Sequence, residues 1–134
     1  MVRRFLAMLA GVAVYIAVVL IADAVSHAIH PMPESVEPGD VRAMIAHIES
    51  APFSAMLVVM LGWIVGTFAG AFTASKITLE QHRLVAGIVG AVAFAGAAMN
   101  IFMIPHPLWM SIIGLAGIAV AAHLGWKLGE RQTA

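Results

Sequence analysis

Four stretches of this chain run for about twenty residues each with almost no charge, and nothing else in it constrains the fold as strongly. They are Phe5 to Ile29, Phe53 to Ser75, Leu84 to Ile104 and Leu108 to Trp126, and Asp23 is the only carboxylate inside them. A hydrocarbon core about 30 Å thick needs ~20 apolar residues of helix to cross it. Where no water is present to bond the backbone, every N–H and C=O must find a partner inside the segment, and an isolated span achieves this only as a helix. The expected fold is therefore all-α. It is a four-transmembrane-helix bundle forming a single integral membrane domain over residues 1–134, with spans at about 5–29, 53–75, 84–104 and 108–126. Composition agrees, since 62% of the residues are hydrophobic and 10% are charged, whereas about a quarter of a soluble domain is charged. Lipid must then be the solvent for much of the surface.

The first stretch has a second reading as a secretory signal, with Arg3 and Arg4 as its basic region and Ala22-Asp23-Ala24 as a small-residue cleavage site. Its apolar run is longer than the roughly 7–15 residues of such signals, so it is read as an uncleaved first span. Orientation follows from the cations. Arg3, Arg4, Lys76, Arg83, Lys127 and Arg131 flank one set of span ends, and only Arg42 lies in the 30–52 connection. The positive-inside rule puts the first set in the cytoplasm. A multi-pass protein of a bacterial inner membrane, with N- and C-termini cytoplasmic, is expected. The formal net charge of zero argues against nucleic acid as a partner, which would call for a basic stripe. Without cysteine, disulfides, thiolate ligands and a cysteine nucleophile are excluded.

The connections carry their own signals. Thr78-Leu79-Glu80-Gln81 reads as a capping box for the third span. Pro105-His106-Pro107 reads as a tight outer turn, because neither proline can continue a helix. His30-Pro31-Met32-Pro33 stops the first span. Asp40 then reads as the N-cap of a short outer interfacial helix, about 41–49, whose Val41, Met44, Ile45 and Ile48 form an apolar face.

Because lipid tails are as apolar as leucine, spans associate by close packing of small residues rather than by the hydrophobic effect. Gly62, Gly66 and Gly70 form a doubled GxxxG ridge on the second span, and Gly90, Gly114 and Gly117 mark smooth stripes on the third and fourth. These suit contacts within the chain, with a second copy in a homo-oligomer, or with another membrane protein. Trp109 and Trp126 flank the fourth span as interfacial anchors. Trp63 lies inside the second and reads as packing. Nine methionines read as core or lipid-facing filler.

One polar constellation remains. Asp23, His27 and His30 are spaced i, i+4, i+7 and share a stripe near the outer end of the first span. His106, in the other outer turn, sits at similar depth, with Asn100 and His47 nearby. Carboxylate plus imidazoles suits zinc or another divalent transition metal, with Asp23, His27, His30 and His106 as the ligands. The same residues suit a proton or ion relay. They equally suit an interfacial cluster satisfied by water, since Asp23 is about 27 Å of helix rise beyond Phe5.

The segments His27-Ala-Ile-His-Pro-Met-Pro33, Gly62-Trp-Ile-Val-Gly-Thr-Phe-Ala-Gly70 and Asn100-Ile-Phe-Met-Ile-Pro-His-Pro-Leu-Trp109 resemble those of a family of short four-span bacterial inner-membrane proteins for which no activity is established. The resemblance implies the topology above and assigns no catalytic or cofactor-binding residue. Three functions fit the residues. The first is a non-catalytic, oligomerising accessory or scaffold subunit. The second is a small homo-oligomeric transporter or channel, and the third is a metal-binding protein or metal-dependent membrane enzyme.

Overall fold

The computed structural model describes residues 1–130 and forms five helices with no strand among them. They are α1 (Val2–Ile29), α2 (Val41–Glu49), α3 (Phe53–Ile77), α4 (His82–Met103) and α5 (Leu108–Gly129). All but α2 are long and apolar enough to cross a membrane. Each long helix begins or ends within three residues of the run that announced it. The charge-free run marks only the hydrocarbon-crossing part, and the helices continue into the headgroup layer, where Arg3, Arg4 and Lys76 join them. Leu9, Ile16, Leu20, Val65, Phe94 and Val120 are all more than two-fifths exposed, an apolar surface far larger than a water-facing monomer presents.

α3 and α4 form the centre of the bundle. Each touches the other, α1 and α5, whereas α1 and α5 make no contact among the described residues. Two layers of side chains fill the interior. Tyr15, Met60, Trp63, Met110 and Ile118 pack toward the end that carries α2, and Ala7, Ala74, Val85 and Val89 toward the basic end. Thr67, fully buried among them, donates its hydroxyl to the Trp63 carbonyl one turn back at 2.6 Å, which satisfies it without a partner helix.

The glycine ridge of α3 lies against α1 of the same chain. Gly62 faces Ala22, Gly66 faces Tyr15, and Gly70 meets the Gly11 backbone so closely that a Cβ on it would stand 2.5 Å from the Gly11 carbonyl oxygen. The backbones are in contact there, which only glycine on both sides permits. Gly90 lies against Ala122, Gly114 against the Trp63 ring and Gly117 against Ile64. Gly125 and Gly129 extend the α3–α5 seam over the Phe68 and Phe72 carbonyls.

At the basic end the capping box does not form. Gln81 adopts a left-handed conformation (φ 54°) and offers no side-chain cap to α4. The Thr78 hydroxyl donates to the Glu80 carbonyl instead, at 2.7 Å. The reason lies on α1. Arg4 donates to Gln81 Oε1 at 2.8 Å and pairs with Glu80 at 3.5 Å, and Arg3 donates to the Ile77 carbonyl at 2.7 Å. The Gln81 side chain that would have closed the box is taken by Arg4. The His82 ring donates from Nδ1 to the Ser75 carbonyl at 2.8 Å. Lys127 and Arg83 stack over Trp126. Arg131, counted with the basic residues of this end, lies outside the described residues. Trp109 and Trp126 stand at opposite ends of α5, about 26 Å of helix rise apart, close to the thickness of a hydrocarbon core.

Candidate functional site

At the end opposite Arg3 and Arg4 the helices diverge around a cavity of about 350 Å³. Its first wall is the last two turns of α1. The i, i+4, i+7 spacing carries Asp23, His27 and His30 onto one side, and Ser26 donates to the Ala55 carbonyl at 3.1 Å, tying α1 to the start of α3. α1 stops at His30 because Pro31 and Pro33 follow.

The roof is α2. Asp40 caps it as expected, its carboxylate accepting from the Ala43 N–H at 3.1 Å. Its inward face is rotated relative to the anticipated apolar stripe. Met44, His47 and Ile48 line the cavity, while Val41 is exposed. No Cα of α2 approaches a Cα of another helix within 8 Å among the described residues. Instead α2 is latched by side chains. The His30 and His47 rings stack with centroids 4.1 Å apart and planes 12° apart, and His30 donates from Nε2 to the His47 carbonyl at 2.9 Å. Ser50 donates to the same carbonyl at 2.8 Å. Partial removal from water pushes the His47 pKa below its ordinary value. The neighbouring charge of His30, and more weakly that of His27, acts in the same direction, with the hydrogen bond to His30 opposing it.

The last wall is the α4–α5 turn. Between Pro105 and Pro107, His106 donates from Nδ1 to the Ile104 carbonyl at 2.7 Å. A carbonyl can only accept, so the proton of the neutral ring sits on Nδ1 and the lone pair on Nε2. The ring lies 5.9 Å from that of Trp63, which is buried as core packing. Asn100 does not line the cavity.

The structure thus brings Asp23, His27, His30 and His106 to one cavity, together with His47. As their side chains stand, no three His, Asp or Glu groups among the described residues are placed to hold a metal ion. His30 is engaged in the latch, while Asp23 and His27 are exposed to the cavity mouth. Sequence reasoning missed the sulfur. Met32, Met44, Met56 and Met110 also line this cavity, and no spacing rule marks a methionine as anything but filler. No family model, curated protein or solved structure matches the chain, so the chemistry is argued from these residues alone.

Proposed function

We propose that this is a multi-pass protein of a bacterial inner membrane, both termini in the cytoplasm, that binds a transition-metal cation in the histidine-lined pocket at its outer face. The single observation that carries the reading is shared lining of one cavity, short of a formed ligand set. Asp23, His27 and His30 on one span and His106 some eighty residues later line the same cavity. His106 adds a second support. An imidazole whose Nδ1–H is fixed by a backbone carbonyl has its tautomer chosen and its Nε2 lone pair available, the arrangement common behind metal-ligating histidines. Placement at a membrane interface lowers the cost of bringing Asp23 and a cation together, since neither must enter the hydrocarbon.

The scaffold reading rested on the lack of midplane charge, on small size and on glycine ridges suited to helix–helix contact, and the structure bears only on the last. The α3 ridge has its partner in α1, so it gives no reason to invoke a second copy. A transport path through a single copy is unsupported because Tyr15, Met60 and Trp63 fill the bundle below the cavity. The pocket is the feature that packing does not explain.

Calorimetric titration of the purified protein in mild detergent with Co(II), Ni(II), Zn(II) and Cu(I) tests the reading. Saturable binding of at least one ion, lost when His27→Ala and His106→Ala are combined, is expected. No binding by any of the ions, or binding indifferent to both substitutions, contradicts it.

A further inference from the structure

Methionine and histidine together supply fifteen of the 134 residues of the chain but eight of the fifteen around the outer cavity. Four methionines come from four different parts of the fold: Met32 from the first connection, Met44 from α2, Met56 from α3 and Met110 from α5. Met110 and Met56 also pack in the bundle core, but Met32 and Met44 lie outside it, so a filler role does not account for all four. We infer that the cation bound in this pocket is a soft monovalent one, Cu(I) by chemical class, held by thioether sulfur from Met44 and Met56 together with imidazole nitrogen from His27 and His106; the inference rests on the metal-binding reading above.

Three properties of the site select this class. Thioethers are weak donors to zinc and to hard cations but good donors to Cu(I). The nitrogen and oxygen groups do not gather in threes, so they do not by themselves supply the four donors that Zn(II) takes, whereas two imidazoles completed by two thioethers suit Cu(I). Charge agrees as well. The remaining wall is apolar, with Ile48, Ala51, Ala55 and Val59, and the cost of holding a cation beside such a surface rises steeply with its charge. One carboxylate, Asp23, balances one positive charge and leaves a divalent ion uncompensated. With no cysteine in the chain, thioether is the only sulfur available. Because Met44 rides on α2, binding would also fasten the roof to the spans beneath.

The test is a competition. Full-length protein in detergent, kept reduced, is titrated with Cu(I) against a coloured Cu(I) chelator and separately with Zn(II). The wild type should take one Cu(I) per chain in preference to Zn(II). Combining Met44→Leu with Met56→Leu, which conserves volume, should weaken Cu(I) by about tenfold or more, a loss of roughly 1.4 kcal/mol or more, at unchanged helicity. X-ray absorption on the wild-type copper complex answers the same question without substitution and should show sulfur bonded to the metal. A shell of nitrogen and oxygen only, or equal Cu(I) affinity in the leucine variant, overturns the inference. Zn(II), Co(II) or Ni(II) bound through His27 and His106 with Cu(I) no better also overturns it, while leaving the broader metal-binding reading intact. If no ion binds, both fall.

Discussion

Replacing Gly70 with alanine adds one methyl group at the tightest point of the bundle, and its consequence can be worked from the geometry. The new Cβ would stand 2.5 Å from the Gly11 carbonyl oxygen and 3.1 Å from Val89 Cγ1. A comfortable carbon–oxygen approach is about 3.3 Å or more, so α1 must retreat by roughly 0.8 Å. Neither obstacle at Gly11 can rotate aside, because both partners are backbone. Overpacking of this kind costs about 1–3 kcal/mol, and alanine's better helix propensity returns at most ~1 kcal/mol. Because the clash is with backbone, the upper part of that range applies, about 2–3 kcal/mol, and the net expectation is a loss of about 1–2 kcal/mol. Gly87 supplies the control, since a Cβ there meets nothing within 4 Å. Gly87→Ala should therefore be neutral or stabilising by up to ~1 kcal/mol. Equilibrium unfolding in mixed micelles, followed by helicity and by tryptophan fluorescence, reads both. The same substitution should shift the midpoint in opposite directions at the two positions. Shifts of the same sign and size would refute the assignment of the ridge to the α1–α3 contact.

Three further outcomes follow from the α2 end. His47 binds protons less readily with the roof latched than with it free, so below the ordinary histidine value of 6.5 the open form takes up protons that the closed form refuses. Latching should be full above that value and weaken as pH falls below it; amide exchange over Val41–Glu49 in metal-free protein that stays equally slow from about pH 8 to about pH 5 would contradict this. Asp40→Ala removes the cap from α2, should cost about 1 kcal/mol of local stability, and should speed exchange in α2 while leaving the four long helices as they were. A single cysteine introduced as Glu37→Cys should react with a membrane-impermeant maleimide in intact spheroplasts; reaction only after permeabilisation would reverse the proposed orientation.

What the sequence disclosed and what it hid have separate physical causes. The four long helices were legible because lipid leaves a twenty-residue apolar run no alternative to a helix. The Asp40 cap and the Pro105–Pro107 turn were legible because each depends on its own few residues. The capping box failed for a non-local reason, since Arg4, more than seventy residues away, takes the Gln81 side chain and pairs with Glu80. The ridge of Gly62, Gly66 and Gly70 announced a close approach but not its partner, and Gly11 is recognisable as that partner only once α1 lies across it. At the candidate site the i, i+4, i+7 spacing placed Asp23, His27 and His30 together. That His106 joins them depends on how α1 and the α4–α5 turn end at one level. The His30–His47 stack was out of reach, because helical periodicity says which residues of α2 share a face but not where the helix docks. Met44 and Met56 were hidden for a chemical reason: a thioether is apolar enough to read as core anywhere.

A metal ion bound in the cavity between α1, α2 and the α4–α5 turn would be directly visible by its anomalous scattering. An anomalous difference map at the metal edge, from crystals of the metal-loaded wild-type protein, tests for it most directly. One strong peak is expected inside the cavity, within bonding distance of His106 Nε2 and His27. A peak at His82 or His123 near the basic end, or no peak in protein shown to be loaded, would contradict binding there.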